Sequence, residues 1–378
     1  MTPLREVAAL FLKLGVISFG GPAAHIALMR EEIVRRRRWV TDQEFLDLLG
    51  ASNLIPGPTS TELAIYLGYV RAGWRGLVLA GTLFIAPAML IVLAFAWAYA
   101  RFGSAPGALW AFYGIKAVVI GIVAIALWGL LKTAVKGALT GAVGAAALVL
   151  FLLGVNPVAV LLAGALVVVL ARHARRVAGA GMLALALPAA TVTAAGAEPY
   201  GLGRLALYFL KTGTVVYGSG YVLLAFLRGD FVERLGWLTD QQLMDAIAVG
   251  QFTPGPVFTT ATFIGYLVGG VSGALVATAA IFVPSFVLVA LIAPFASRLR
   301  RSPVMSAALD GVNVAALGLM AGVTWQLTRA AVVDPLTALL VLGALVALGR
   351  FKINSAWLIG AGAAVGIAAH YLGLTHGG

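Results

Sequence analysis

Long apolar stretches, separated by short polar or basic segments, follow one another along almost the whole chain. Each is close to the 20 or so residues that an α-helix needs to cross the hydrocarbon core of a bilayer. The stretches lie near 5–27, 76–100, 107–131, 137–153, 157–171, 204–227, 272–297, 304–328, 335–349 and 354–372. This pattern predicts an all-α integral membrane protein whose surroundings are the lipid bilayer.

The composition agrees with a membrane location. Hydrophobic residues make up 61% and charged residues 11% of the 378 residues, and the mean hydropathy is +1.01. The net charge of +12 fits the enrichment of Lys and Arg in cytoplasmic loops, so we expect no nucleic acid as a partner. Because the chain has no cysteine, disulfides and thiolate metal sites are excluded, and we expect neither a metal nor a cofactor.

The chain contains an internal repeat. Lys13 corresponds to Lys211, and the Pro-Gly-Pro of 56–58 corresponds to that of 254–256, at an offset of 198 residues (211 − 13 and 254 − 56). Such self-similarity indicates two related structural units within one chain.

The repeat continues after a slip of one residue. Lys116 corresponds to Asn313 at an offset of 197 residues (313 − 116). The similarity therefore extends over nearly all of both halves. The domains that we predict are 1–177, a linker at 178–203 rich in Gly, Ala, Thr and Pro, and 204–378.

The orientation of the two halves depends on the Pro-Gly-Pro segments near 43–70 and 241–268. If each segment enters and leaves the membrane on one side, each half crosses five times and the halves are inverted. Most of the 26 Lys and Arg residues then fall on a single side, whereas six crossings per half divide them more evenly. The positive-inside rule favours the first arrangement. We therefore predict two inverted five-span repeats, each with a re-entrant Pro-Gly-Pro helix break.

The two Pro-Gly-Pro segments are the strongest candidates for a binding site. Proline disrupts a helix interior but suits the first helical turn, so a new helix is expected to begin at Pro58 and at Pro256. Backbone N–H groups at a helix start lack intrahelical partners and attract anions. Inverted transporters use such broken helices near the midplane, and the alternative is a purely structural kink. The substrate-binding residues predicted here are Asn53, Pro56, Gly57, Pro58, Thr59, Ser60, Thr61, Gln251, Pro254, Gly255 and Pro256.

Small and ionisable residues supply further candidates. Glycines let the backbone approach a substrate or a neighbouring helix, and lysines within apolar runs bind anions or extend towards the interface. These substrate-binding candidates are Gly20, Gly21, Gly218, Lys13, Lys211 and Lys116. The candidates for proton coupling are Glu62, Asp47 and Asp245. We interpret His25, which Leu223 replaces in the second half, as a satisfied interfacial residue.

The residues around the breaks resemble the chromate transporter family. The resemblance rests on FGGP at 19–22, WVTDQEF at 39–45 and NLIPGPT at 53–59, with similar stretches at 217–220, 237–243 and 251–256. It implies a two-domain secondary transporter in the cytoplasmic (inner) membrane of a bacterium. Such a protein exports chromate, driven by the membrane potential or, as an antiporter, by the proton gradient, and thereby gives chromate resistance. Sulfate, which shares the shape and charge of chromate, is the next candidate oxyanion.

Two other classes of function compete with a carrier. An oxyanion channel would use the same breaks but would neither saturate nor show counterflow. A membrane enzyme acting on lipid phosphates needs catalytic motifs that the chain lacks, so we expect no enzyme activity. The sequence leaves the transport direction, the coupling ion and the assembly open, a homodimer included.

Overall fold

A computed structural model describes residues 2–19, 21–103, 105–177, 200–217, 222–292, 302–351 and 353–372. Every regular element within these ranges is a helix, which confirms the predicted all-α class. Most of the predicted linker lies outside the described residues.

The first half begins with three short helices, which precede the longest helix of the described residues. Its described α-helices are α1 (Pro3–Ile17), α2 (Gly21–Arg30), α3 (Asp42–Ser52), α4 (Thr59–Phe102), α5 (Pro106–Ala134), α6 (Ala138–Leu152) and α7 (Pro157–Val177). A short π-helix, Glu31–Arg36, extends α2.

The second half repeats this order. Its described α-helices are α8 (Leu202–Val215), α9 (Leu223–Leu227), α10 (Asp240–Phe252), α11 (Thr260–Ile292), α12 (Pro303–Ala331), α13 (Pro335–Phe351) and α14 (Ser355–Tyr371). A π-helix, Arg228–Arg234, extends α9, and a 3₁₀ turn, Val257–Thr259, precedes α11.

Four helices in the described part of the chain, α4, α5, α11 and α12, are long and apolar enough to cross a membrane. Large apolar side chains also stand on the outer surface, where Leu207, Leu291 and Leu339 are 65%, 63% and 64% exposed. A broad apolar surface is unfavourable in water, whereas lipid tails match it. The chain is a multi-pass membrane protein.

The first apolar segment of each half is not one continuous helix, contrary to the prediction for 5–27 and 204–227. α1 ends before residue 18 and α2 begins at Gly21, and the second half breaks in the same way between α8 and α9. Gly21 has a φ of +77°, which glycine adopts at little cost. Glu6 before the break and Arg37 after it line one cavity of about 370 Å³. The segment therefore turns back on itself instead of forming a single span, so it does not supply one of the five crossings predicted for this half.

The long helices α4 and α11 each contain a sharp reversal. The backbone of α4 leaves helical geometry at Ala72 and Gly73, where φ of Gly73 is +60°, and Gly270 in α11 has a φ of +62°. A Cβ on Gly68 would lie 2.4 Å from the carbonyl oxygen of Gly76, so the chain folds back against itself. We call the parts the short arm and the long arm, which are 59–71 and 74–102 in α4, and 260–268 and 271–292 in α11.

The segment that holds the first Pro-Gly-Pro starts and ends at one place. α3 begins at a capping box formed by Thr41 and Glu44, directly after Trp39. Arg71 ends the short arm of α4, and its guanidinium carbon lies 5.3 Å from the centre of the Trp39 ring. Arg71 also pairs with Glu6 at 2.7 Å. The two ends of the segment therefore meet.

The second half closes its own break segment through Tyr200. The Tyr200 ring lies 5.7 Å from that of Trp237, which precedes α10. Gly269, at the end of the short arm of α11, packs so close that a Cβ would lie 1.9 Å from the Tyr200 hydroxyl. In both halves, therefore, the start of the helix before the break (α3 or α10) lies next to the end of the short arm after the break.

The long arms of α4 and α11 pack against each other with their residues in opposite order. Gly81 lies against Phe286, where a Cβ would come within 2.4 Å of the ring. At the offset of 197 residues, their counterparts are Thr278 and Met89, and both line one apolar groove between the arms. The close approach of Gly81 to Phe286 and the shared groove at their counterparts place both sets of positions along one boundary between the arms, which is typical of a two-fold relation.

Candidate functional site

The two Pro-Gly-Pro breaks lie at the interface between the halves, and each is joined to the broken first segment of the other half. The Gly57 N–H donates to the Val216 carbonyl at 2.7 Å, and the Gly255 N–H donates to the Ser18 carbonyl at 2.8 Å. At the offset of 198 residues, Gly57 corresponds to Gly255 and Ser18 to Val216. The two bonds are therefore reciprocal, and they link four non-helical segments.

Both breaks depend on glycine for their shape. The φ values of Gly57 and Gly255 are +135° and +95°. A Cβ on Gly57 would lie 2.3 Å from a carboxyl oxygen of Glu62 and 2.7 Å from the Ser285 hydroxyl, and one on Gly255 would lie 2.8 Å from the Ala88 Cβ. Only glycine combines this backbone conformation with so close an approach of neighbouring atoms.

A new helix starts directly after each break. The Thr61 N–H turns back to the Pro58 carbonyl at 2.7 Å, and the Thr259 N–H turns back to the Pro256 carbonyl at 3.0 Å. Thr61 is therefore not available as the backbone donor that the sequence suggested. The N–H groups that a helix start leaves without intrahelical partners come earlier, at Ser60 and in the turn after Pro256.

His25 connects the first break to its neighbours. It is 1% exposed, with Nδ1 3.1 Å from the Ser60 hydroxyl and Nε2 3.1 Å from the Ser18 carbonyl. A carbonyl only accepts, so in the neutral ring Nε2 carries the proton and Nδ1 accepts from Ser60. Sequence reasoning set His25 aside because Leu223 replaces it in the second half. Its place just after Pro22 was the available signal.

Glu62 is a fully buried carboxyl beside the first break. One carboxyl oxygen accepts a long hydrogen bond from the Ser285 hydroxyl at 3.4 Å, and the other has no partner among the described residues. Tyr217, which precedes α9, lies within electrostatic range of Glu62. Its O–H donates to the Leu54 carbonyl at 2.9 Å. A carboxyl at membrane depth without a cation is costly and indicates a functional group.

A cavity of about 340 Å³ reaches the first break from one side of the protein. Asn53 and Tyr217 line the cavity at the break, and Lys136 and Asp310 line it near the surface. Asp310 pairs with Lys136 at 2.7 Å and with Arg172 at 2.6 Å, so two cations face one carboxylate. The excess of positive charge favours the entry of anions.

A buried ion pair occupies the corresponding position in the other half. Asn313 lines the cavity, and its counterpart Lys116 places Nζ 3.1 Å from the Asp245 carboxylate. The Tyr99 hydroxyl donates to Asp245 at 2.8 Å. The side chains of Lys116 and Asp245 are only 6% and 2% exposed. The neutral amide of Asn313 in the cavity thus corresponds to the buried Lys116–Asp245 ion pair in the other half.

The three lysines that we predicted to bind anions are all paired with carboxylates. Lys13 lies 2.7 Å from Glu32, and Lys211 lies 2.7 Å from Asp230. Lys116 pairs with Asp245, as described above. A carboxylate offsets the charge that would otherwise attract an anion. In this structure a carboxylate balances the charge of each lysine, and anion binding by these lysines stays a prediction.

The structure brings the other predicted residues together only in part. Asn53 lines the cavity, and Gln251 is buried in α10 next to the second break. Asp47 is half-buried on α3 and accepts a hydrogen bond within that helix. Gly20 and Gly218 lie outside the described residues.

A multi-pass helical protein with two broken helices facing each other across related halves has the construction of a membrane transporter. The sequence model of the chromate transporter family matches residues 5–169 and, a second time, residues 203–367. The chain therefore belongs to the chromate transporter family.

Similar proteins cover nearly the full chain. A chromate transport protein of Cupriavidus metallidurans is 38% identical over 376 residues, covering 98% of this chain and 94% of its own length. A probable chromate transport protein of Synechococcus elongatus is 36% identical, with 94% and 91% covered. A chromate transport protein of Pseudomonas aeruginosa is 33% identical, with 86% and 81% covered. No solved structure matches the chain.

Proposed function

We propose that this protein is a secondary active transporter that exports chromate, or a related tetrahedral oxyanion such as sulfate, from the bacterial cytoplasm. The reciprocal bonds from Gly57 to Val216 and from Gly255 to Ser18 carry the proposal, because they bring two helix starts to one shared place. A helix start favours a nearby negative charge by ~0.3–2 kcal/mol, and its N–H groups add hydrogen bonds. The names of the similar proteins support chromate as the substrate.

In this proposal the halves are inverted repeats and their break segments are re-entrant. The reversed order of the long arms, with Gly81 against Phe286, supports inversion. The contact of Trp39 with Arg71 supports a segment that returns to its own side. That side carries the arginines of 35–38, so the positive-inside rule makes it cytoplasmic.

The cavity at the first break then opens to the cytoplasm. The long arm of α4 leaves the side of Arg71 and α5 returns to it, so Lys136 and Asp310 lie at the cytoplasmic end. A cytoplasmic anion would enter past Lys136 and reach Asn53 at the break. This is the direction of entry that export requires.

A carrier is favoured over an oxyanion channel by the difference between the two sides. The cavity lined by Asn313 is open, whereas the Lys116–Asp245 pair fills the corresponding position on the other side. A channel needs both sides open at once, but a carrier opens them in turn. In this proposal the structure corresponds to a state in which the first break is reached from the cytoplasm.

The proposal also sets the selectivity. Backbone N–H donors at a helix start recognise negative charge and oxygen acceptors, and they carry no feature that separates chromium from sulfur. Chromate and sulfate are both tetrahedral dianions. Sulfate is therefore expected to compete with chromate for the site.

Chromate accumulation in living cells tests the proposal. Bacteria that produce the protein should hold less labelled chromate than cells with an empty vector, and excess sulfate inside the cell should reduce the difference. Cells that produce the Gly57→Val variant at the same membrane level serve as the control. Equal or higher chromate content in cells with the unaltered protein would contradict export.

A further inference from the structure

A carboxyl group with an unpartnered oxygen touches the proposed anion site. Glu62 lies in the first turn of the short arm of α4, and no part of it reaches the surface. A carboxyl oxygen approaches the backbone of Gly57 so closely that a Cβ there would lie only 2.3 Å away. An anion held at this break would therefore be a direct neighbour of the carboxyl.

The groups that face Glu62 give it no positive partner in the described part of the chain. Ser285 on α11 donates the long bond of 3.4 Å, and Tyr217 lies nearby from the segment before α9. His25 on α2 reaches the same helix only through Ser60, and both of its ring nitrogens are engaged. No described lysine or arginine pairs with Glu62.

The charge of the anion and that of the carboxylate oppose each other. A dianion and an ionised carboxylate at this separation repel strongly in a site from which water is excluded. A proton on Glu62 removes the repulsion and turns the group into a hydrogen-bond donor for an anion oxygen. Anion binding and proton binding therefore favour each other, and the carboxyl can lose its proton only in a state in which water reaches it, unlike the buried state described here.

We propose that Glu62 binds a proton whenever the site binds an anion, so that the proton and the anion cross the membrane together. This inference rests on the proposed function and names its coupling ion. At the two repeat offsets Glu62 corresponds to Thr259 and Thr260, so one carboxyl serves the shared site. An antiporter exchanges a proton for the anion. It would require Glu62 to release its proton when the anion binds and to take up a proton when the anion leaves.

Co-transport with one proton is compatible with export. A dianion and one proton carry a net charge of −1, and a membrane potential that is negative inside drives this charge outwards. The proton would come from cytoplasmic water through the cavity at Asn53 and Tyr217, since that cavity reaches the break. The full chain is needed for the site, because both halves contribute to it.

Proton movement into proteoliposomes tests the inference. The full-length protein is reconstituted with a pH-sensitive dye inside, and potassium with valinomycin holds the potential at zero. Labelled sulfate, or chromate at alkaline pH, is then added outside so that the anion enters as a dianion. We expect acidification of the lumen by about one proton per anion, since one carboxyl carries one proton.

Variants assign the proton to its group. Glu62→Gln should lower the number of protons per anion at least tenfold while labelled anion still exchanges at a reduced rate. His25→Gln should keep the ratio of protons to anions of the unaltered protein.

The outcomes separate the two claims. No anion entry under any condition would overturn the proposed function. If the unaltered protein let the anion enter without acidifying the liposome lumen, the inference alone would be overturned. Full acidification of liposomes that contain the Glu62→Gln variant would overturn it as well. Loss of acidification with the His25→Gln variant but not with Glu62→Gln would show that His25, and not Glu62, carries the proton.

Discussion

Single residues make the two sides of the centre chemically different, although the backbone repeats. His25 corresponds to Leu223, and Lys116 corresponds to Asn313. Lys116 is joined to Asp245 in a buried pair, while Asn313 lines an open cavity. The two sides of the centre therefore differ in their side chains more than in the course of the chain.

The buried pair should contribute strongly to stability in this state. Lys116→Met leaves the Asp245 carboxylate without its cation, which typically costs about 3–5 kcal/mol at a buried site. The double variant Lys116→Met and Asp245→Leu should recover much of the loss. Arg30→Gln is the matched control, because Arg30 and its partner Asp42 are both exposed. An exposed ion pair contributes about 1 kcal/mol or less to stability. Thermal unfolding in detergent measures all four proteins, and equal losses in the buried and exposed single variants would contradict a sealed pair.

The sequence did not predict which buried charged side chains pair with each other. Lys116 and Asp245 were separate candidates, one for anion binding and one for proton coupling, because each is costly in an apolar run. Both costs are real, but the structure shows that the two groups offset each other. Nothing in the local pattern links residues so far apart, since their contact depends on how the halves pack.

At the scale of helices, the sequence predicted the breaks at Pro-Gly-Pro and the end of each break segment near residues 70 and 268, but not the break before Gly21. α3 ends at Ser52 and α4 begins at Thr59, on either side of the Pro-Gly-Pro that marks the segment. The reversal at Gly73 lies between the predicted segment 43–70 and the predicted apolar run 76–100, where Arg71 and Arg75 interrupt the apolar sequence. The break before Gly21 has no such mark, because glycine within an apolar run is common in membrane helices.

The two breaks should be equally sensitive to a side chain. Gly57→Val or Gly255→Val adds a branched group where φ is positive and no space exists, so transport per folded molecule should fall at least tenfold, about 1.4 kcal/mol or more. Gly343→Val is the matched control, because nothing lies near that glycine on α13. Transport is measured in proteoliposomes and divided by the amount of folded protein. Lower yield with normal transport per molecule would make the breaks structural kinks only.

At the scale of the whole molecule, inverted halves place equivalent loops on opposite faces of the membrane. Gly137 follows α5, and Val333 follows α12, its equivalent in the second half. The positive-inside rule places Gly137 in the cytoplasm, and inversion then places Val333 outside. A parallel arrangement of the halves would instead put both loops on one face.

Labelling of single cysteines distinguishes the two arrangements, and the chain has no cysteine of its own. Val333→Cys should react with an impermeant thiol reagent in intact cells, because the residue is 67% exposed. Gly137→Cys should react only after the cells are made permeable. Labelling of both variants from outside would rule out inverted halves.

Counterflow measures whether one shared anion site is reached from each side of the membrane in turn. Proteoliposomes are loaded with unlabelled chromate, diluted into a trace of labelled chromate, and compared with empty ones, with and without excess external sulfate. For a carrier with such a site we expect transient accumulation of the label above equilibrium in loaded liposomes, saturation with chromate, and loss of the signal with sulfate. Equal and unsaturable entry into loaded and empty liposomes, unaffected by sulfate, would contradict this expectation.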